Sequence, residues 1–337
     1  LAHGFAVEGY AVYTNNPPYG AFRGFGVAQI SFANETAIDL LAEELGRDKL
    51  ELRMQNALRP GDVMPTGQLC GSDVGFLETL QAIEAPYREA LAAGKHVGVS
   101  GALKNVGLGS GLDDAGRAKL EVRGGKVLLY TSAQCLGQGL STTMIQIASE
   151  ATGLPHARFE AILPNTETTP DSGASTASRQ TTITGEAVRM AAVKLREALD
   201  AHTLAELEGQ VFLATHDPRT DPIGAPGVKY PRSQICYGYA ANLVVLAEDG
   251  TVEKIYAAHD VGRCINRLNV EGQIEGGVVM SMGYALTEDF PLRDGFLQNR
   301  KFGMLGLFRA TEVPPIEITI IEKSTDPLTY GAKGVGE

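Results

Sequence analysis

Glycine-framed arginine, glutamine and glutamate residues recur along this 337-residue chain. The first group is Ala21-Phe22-Arg23-Gly24-Phe25-Gly26. Glycine lets backbone amides approach a ligand, arginine anchors anions, and phenylalanine stacks on a planar ring. Gly137-Gln138-Gly139 feeds directly into a helical pattern, so its amides and the helix dipole would favour an anion. The run from Asp171 through Thr176-Ala177-Ser178-Arg179-Gln180 is rich in small residues and hydroxyls that suit backbone wrapping of a phosphate, with Arg179 placed to neutralise it. A flexible linker has the same composition. Gly334-Val335-Gly336-Glu337 presents a glutamate that reads as a general base or as a polar turn. Together the groups describe a site for a large anionic cofactor with a base beside it.

The elements that must carry these loops can be placed from periodicity and punctuation. Val27 to Leu45 predicts a helix, with Ile30, Ala37, Leu41 and Leu45 on one buried face and Gly46 as its stop. Asp48 and Glu51 fit a capping box opening a second helix to about Leu58. A third is predicted over Phe76–Ala92, ended by Gly94. Strands Ala118–Val122 and Lys126–Thr131 flank Arg123-Gly124-Gly125, a hairpin signal. A helix follows Gly139 through Thr152, then a strand at Phe159–Leu163 and a helix at Thr184–Leu199. Glu208 to Pro231 reads as loop. Strands Ala240–Ala247 and Val252–Ala258 form a second hairpin about Glu248-Asp249-Gly250-Thr251. A helix near Val270–Ala285 and a strand at Ile316–Glu322 complete the chain. Hairpin-paired strands between isolated helices give an α+β fold with mixed sheets rather than a doubly wound one. The change of pattern near Gly94 divides the chain into two domains, 1–94 and 95–337.

Bulk composition narrows the function classes. A net charge of −11 argues against nucleic acid, which needs clustered Lys and Arg. No apolar run approaches the ~20 residues of a membrane span, and no signal-peptide pattern opens the chain. Cys70, Cys135, Cys236 and Cys264 stand far apart without a Cys-x-x-Cys, so neither an iron–sulfur cluster nor a zinc ribbon is encoded. Free thiols fit a reducing cytoplasm. Gly107-x-Gly109-x-Gly111 lacks the Rossmann spacing and reads as a loop; Walker, zincin and serine-hydrolase motifs are missing. His259-Asp260 reads as a structural pair. The chain opens on Leu1 and stops after its candidate base, which reads as a fragment or one subunit of a split protein.

Taken in order, the loops resemble the molybdenum-cofactor-binding part of the xanthine dehydrogenase and aldehyde oxidoreductase family. The motifs that carry the resemblance begin with Thr14-Asn15-Asn16-Pro17-Pro18 leading to Ala21–Gly26. They continue through Gly137 to Gln146, and Ser178-Arg179-Gln180 with Thr184-Gly185-Glu186-Ala187-Val188. His259-Asp260-Val261-Gly262-Arg263 followed by Glu271-Gly272-Gln273-Ile274-Glu275-Gly276 is similar to a further family loop. Gly331-Ala332-Lys333-Gly334-Val335-Gly336-Glu337 looks like the family's catalytic-glutamate motif.

The resemblance implies a molybdenum-pterin cofactor, expected as the cytosine dinucleotide, whose dithiolene rather than any side chain holds the metal. It places backbone contacts from Phe22 and Arg23 at the metal, and Gly137, Gln138, Gly139, Thr176, Ala177, Ser178, Arg179, Gln180 and Gln273 around the pterin and its phosphates. Phe25 would face the substrate ring and Glu337 would be the catalytic base. The implied reaction hydroxylates an aldehyde or N-heterocycle with water as the oxygen source. Its electrons would leave through 2Fe–2S clusters to FAD on partner chains or missing domains. The implied partners are an upstream molybdenum-subunit portion, an iron–sulfur subunit and an FAD subunit, in the cytoplasm. Val106-Gly107-Leu108-Gly109-Ser110-Gly111 offers no second stacking ring, which disfavours purines, and no cysteine-bearing loop of the carbon monoxide dehydrogenase kind is present. The alternative is an assembly subunit that keeps the fold without metal.

Overall fold

The computed structural model describes residues 6–324 and 328–337. Helix α1 (Val27–Glu44) starts directly from the arginine loop, with Gly26 at its N-cap. Its predicted buried face is in fact exposed: Ile30, Leu41 and Leu45 are each more than half accessible, and only Ala42 is buried. Charge holds the helix instead. Glu35 accepts from Arg53 Nε at 2.7 Å and from the Gly101 amide at 2.8 Å, and Arg53 pairs with Asp39 at 2.7 Å.

The Asp48 carboxylate accepts from the Glu51 amide at 2.9 Å and caps α2 (Lys49–Asn56), as its spacing predicts. The single helix expected over 76–92 is two, α3 (Phe76–Ala82) and α4 (Glu84–Ala92). Pro86 explains the break, because it has no amide to offer the Ala82 carbonyl one turn earlier.

Strand β1 (Val97–Val106), undetected in the sequence because Gly98 and Gly101 blur its alternation, follows. Next come β2 (Gly116–Arg123), β3 (Lys126–Tyr130), α5 (Leu140–Thr152) and β4 (Phe159–Ala161). A π-helical turn over Gln180–Thr184 runs into α6 (Gly185–Leu199). Strand β5 (Val211–His216) lies inside the segment read as loop. The chain continues through β6 (Cys236–Leu246), β7 (Val252–Asp260), α7 (Arg267–Leu286), a small hairpin of β8 (Leu292–Arg293) and β9 (Phe296–Leu297), and β10 (Ile316–Ile321).

Among the described residues two four-stranded mixed sheets result, ordered β1-β6-β7-β10 and β4-β3-β2-β5. The predicted hairpins β2–β3 and β6–β7 are antiparallel, but β10 joins β7 in parallel. In the first sheet Val99, Ala241, Leu243 and Ala258 bury against Leu50, Leu80 and Tyr87 of α2–α4 and against Ile83 at the junction of α3 and α4. In the second, Leu120, Val122, Val127 and Leu129 bury against Met144 and Ile147 of α5 and Val188, Ala191 and Leu195 of α6. Each valine, leucine, isoleucine or methionine among them contributes roughly 1.5–3 kcal/mol when fully buried. Packing thus runs across Gly94, since helices before it cover strands after it.

Candidate active site

The arginine loop turns sharply because Gly24, Phe25 and Gly26 all have left-handed backbone angles (φ 96°, 53° and 98°). The turn throws Arg23 onto α7. Its Nη2 donates to the Gln273 carbonyl at 2.8 Å and to Gln273 Oε1 at 3.4 Å, while Nε donates to the Gly336 carbonyl. One guanidinium therefore links the first loop, α7 and the last segment. Burial holds its proton affinity below the usual arginine value, and the charge of Glu337 opposes that shift.

Gly139, in a left-handed conformation, is the N-cap of α5 and makes no side-chain cap. Asn269 of α7 donates to the Gly139 carbonyl at 3.1 Å and to Thr143 Oγ1 at 3.2 Å, which ties the two helices together. The Gln138 amide folds back on its own loop, accepting from the Leu136 amide and donating to the Gln134 carbonyl. Backbone amides, that of Gly137 first, hold the Cys135 thiol below its ordinary pKa. Nothing in the sequence distinguishes Cys135 from the other three free thiols.

The run 171–180 is not a linker. Ala177 and Ser178 both take left-handed angles, and the turn leads into the π-helical start of α6. Arg179 is buried. It pairs with Asp114 through Nε, and donates to the carbonyls of Ser172 (2.5 Å), Ala174 (3.2 Å) and Ala115 (2.8 Å). Sequence alone makes Arg179 a phosphate neutraliser; here Asp114 already matches its charge, so its contribution at the cavity is the shape of the loop. Gln180 is committed in the same way, to Ala174, Ser175 and Thr184. Ser178 Oγ is buried without a hydrogen-bond partner among the described residues.

The last segment is clamped at several points. Lys333 and Asp260 form a buried pair at 2.6 Å, and Lys333 Nζ also donates to the Asp73 carbonyl at 2.6 Å. Burial raises the Asp260 carboxyl pKa, and Lys333 opposes the shift. Thr182 Oγ1 donates to the Ala332 carbonyl at 3.1 Å, and the Thr329 amide donates to buried Glu186 at 2.6 Å. Beyond this clamp Gly334 passes against Ser178, and Glu337 ends 3.1 Å from Lys104 Nζ.

These segments enclose one cavity of about 800 Å³. Phe22, Arg23, Phe25, Gly137, Gln138, Thr176, Ser178, Arg179, Gln180, Gln273 and Glu337 all line it. Gly139 sits beside it at the helix cap, and Ala177 lies behind the loop, its carbonyl accepting from the Gly107 amide at 2.9 Å. Lys104, Asp114 and Asn269 carry no sequence signal, because each acts through a partner distant in the chain. Among the described residues no cluster of three or more His, Cys, Asp or Glu is placed to hold a metal ion, and no helix is long and apolar enough to cross a membrane.

The molybdopterin cofactor-binding domain family matches residues 75–214 and 202–314, and a second molybdopterin cofactor-binding domain matches 3–57. The aldehyde oxidoreductase of Megalodesulfovibrio gigas is 33% identical, over 98% of this chain and 39% of that protein. The xanthine dehydrogenase molybdenum-binding subunit of Escherichia coli is 28% identical, over 99% of this chain and 50% of that protein. The crystal structure of the aldehyde oxidoreductase from Desulfovibrio desulfuricans superimposes with a TM-score of 0.84 at 29% identity, covering 94% of this chain and 37% of that one. Quinoline 2-oxidoreductase from Pseudomonas putida gives 0.79 at 25% identity, covering 95% of this chain and 48% of that one. The chain therefore spans half or less of the length of these relatives.

Proposed function

Because the chain belongs to the molybdopterin cofactor-binding family of aldehyde oxidoreductase and xanthine dehydrogenase type, we propose that its cavity takes the molybdenum-pterin cofactor as the cytosine dinucleotide and that Glu337 is the base of an oxidative hydroxylation. The substrate class is an aldehyde or N-heterocycle, with water as the oxygen source. The observation that carries this reading is convergence. Five separate loops and one face of α7 close on a single cavity, and among the described residues the one carboxylate on its wall is Glu337.

The residues fit such a group. A cavity of about 800 Å³ suits a large ligand. Buried Ser178 Oγ has no partner among the described residues and would take a polar atom of the pterin or its tail. The N-terminus of α5, capped by no side chain, favours phosphate. When bound, the cofactor supplies the Lewis-acidic, two-electron redox centre. Phe22 and Arg23 would offer backbone contacts at its metal end, while Gln138, Gln180 and Gln273 would border the pterin. Phe25, 70% exposed, is free to stack on a substrate ring. The Glu337 carboxylate would receive the proton of the oxygen nucleophile. Electrons would leave through 2Fe–2S and FAD centres on partner subunits, and an upstream molybdenum-subunit portion would complete the enclosure, in the cytoplasm.

The test is Glu337→Gln in the complete enzyme, assayed with benzaldehyde and with nicotinate beside elemental analysis. Stoichiometric molybdenum with turnover reduced by orders of magnitude is expected. Unchanged turnover would remove the base assignment. A folded complex without molybdenum, from a host with an active cofactor pathway, would favour an assembly subunit.

A further inference from the structure

Lys104 takes no part in any motif, and it does not line the cavity. It lies near the end of β1, directly opposite Gly238 of β6. Residues directly opposite on antiparallel strands project to the same face of the sheet. At Gly238 that face lacks a side chain, and the last segment occupies the space. A β-carbon on Gly238 would sit 2.9 Å from the Gly334 carbonyl oxygen. The glycine run thus crosses the sheet beside Lys104, and Glu337 ends with Oε2 3.1 Å from its ammonium.

The ammonium is fixed independently of the glutamate. Lys104 Nζ donates to the Asn105 carbonyl at 3.2 Å and to Asn105 Oδ1 at 3.0 Å. The Asn105 amide in turn donates to the Gly107 carbonyl at 2.9 Å and to Gln234 Oε1 at 3.3 Å. Both side chains of the ion pair are largely hidden, at 13% and 14% exposure, so solvent screens it less than a surface pair. Oε2 is buried and receives no aligned hydrogen bond from any of the described residues, so Lys104 holds it by charge at short range.

We propose that Lys104 is the positioning residue of Glu337: it pins Oε2 against the sheet so that Oε1 meets the reacting proton. This rests on the assignment of Glu337 as base, and it adds a residue that no motif marks. A group behind the base, remote from the ligand, should affect turnover and not substrate binding.

The experiment compares Lys104→Met, Lys104→Arg and Glu337→Gln in the complete holoenzyme, with benzaldehyde as reductant and a dye as acceptor. Lys104→Met should lower kcat on the order of 10²-fold, as misplacement by about 1 Å does, with KM and molybdenum content unchanged. Lys104→Arg should restore most of the rate. An unchanged kcat in Lys104→Met, a loss confined to KM, or an arginine variant as damaged as the methionine one would overturn the proposal. If Glu337→Gln alone keeps full turnover, the base assignment fails instead. Thermal melts of Lys104→Met, Glu337→Gln and their double variant read the pair without any substrate. Non-additive losses are expected, and strict additivity would rule the pairing out.

Discussion

Gly334 packs so closely on Ser178 that a β-carbon on Gly334 would lie 2.3 Å from the Ser178 carbonyl oxygen and 2.7 Å from its Cβ. Ser178 is itself held in a left-handed turn by the buried Arg179–Asp114 pair that follows it. Two of the loops that read separately in the sequence are thus one packed unit, and Glu337, the base proposed above, rides on it.

Gly334→Ala should therefore displace Glu337 without unfolding the sheets. The contact is with backbone, which cannot rotate away, so a loss of roughly 1–3 kcal/mol is expected from overpacking. Turnover should fall far more than the melting temperature does. A variant with wild-type turnover would show that the last segment can shift freely.

Arg23→Lys keeps the charge but loses the fork that reaches both the Gln273 and Gly336 carbonyls. Hydrogen bonds from a charged donor contribute roughly 1.5–3 kcal/mol each, so one lost contact should loosen the last segment on that scale. The expected result is reduced molybdenum retention on dialysis together with reduced kcat. Full retention at unchanged rate would mean the link is dispensable.

His259 predicts an acid-sensitive limb. Burial pushes its pKa down to about 4, and its Nε2 has no hydrogen-bond partner among the described residues. The folded state then resists a proton that the unfolded chain accepts near 6.5, so this contribution is complete above pH 6.5 and fades as pH falls toward 4. The total is on the order of 3 kcal/mol. His259→Phe should flatten the decline in melting temperature between these limits, and an identical decline in both proteins would remove His259 as its source.

Phe25→Ala removes an exposed ring and should leave stability within about 0.5 kcal/mol of wild type. Its cost should appear as a raised KM for benzaldehyde relative to acetaldehyde. Equal losses on both substrates would exclude a stacking role.

The sequence by itself determined the local devices: the Asp48 cap on α2, both predicted hairpins, and the glycine-framed loops, whose residues almost all reach one cavity. These are legible because capping, turn formation and alternation depend on neighbours a few residues apart. Tertiary structure alone decided which charges face which. Arg179 meets Asp114 across 65 positions, Lys333 meets Asp260 across 73, and Glu337 meets Lys104 from the opposite end of the second half. It also turned the apolar residues of α1 outward and set β10 parallel to β7. Long-range pairing leaves no periodic trace, because the cost of burying a charge is decided by whatever the fold brings within a few ångströms of it.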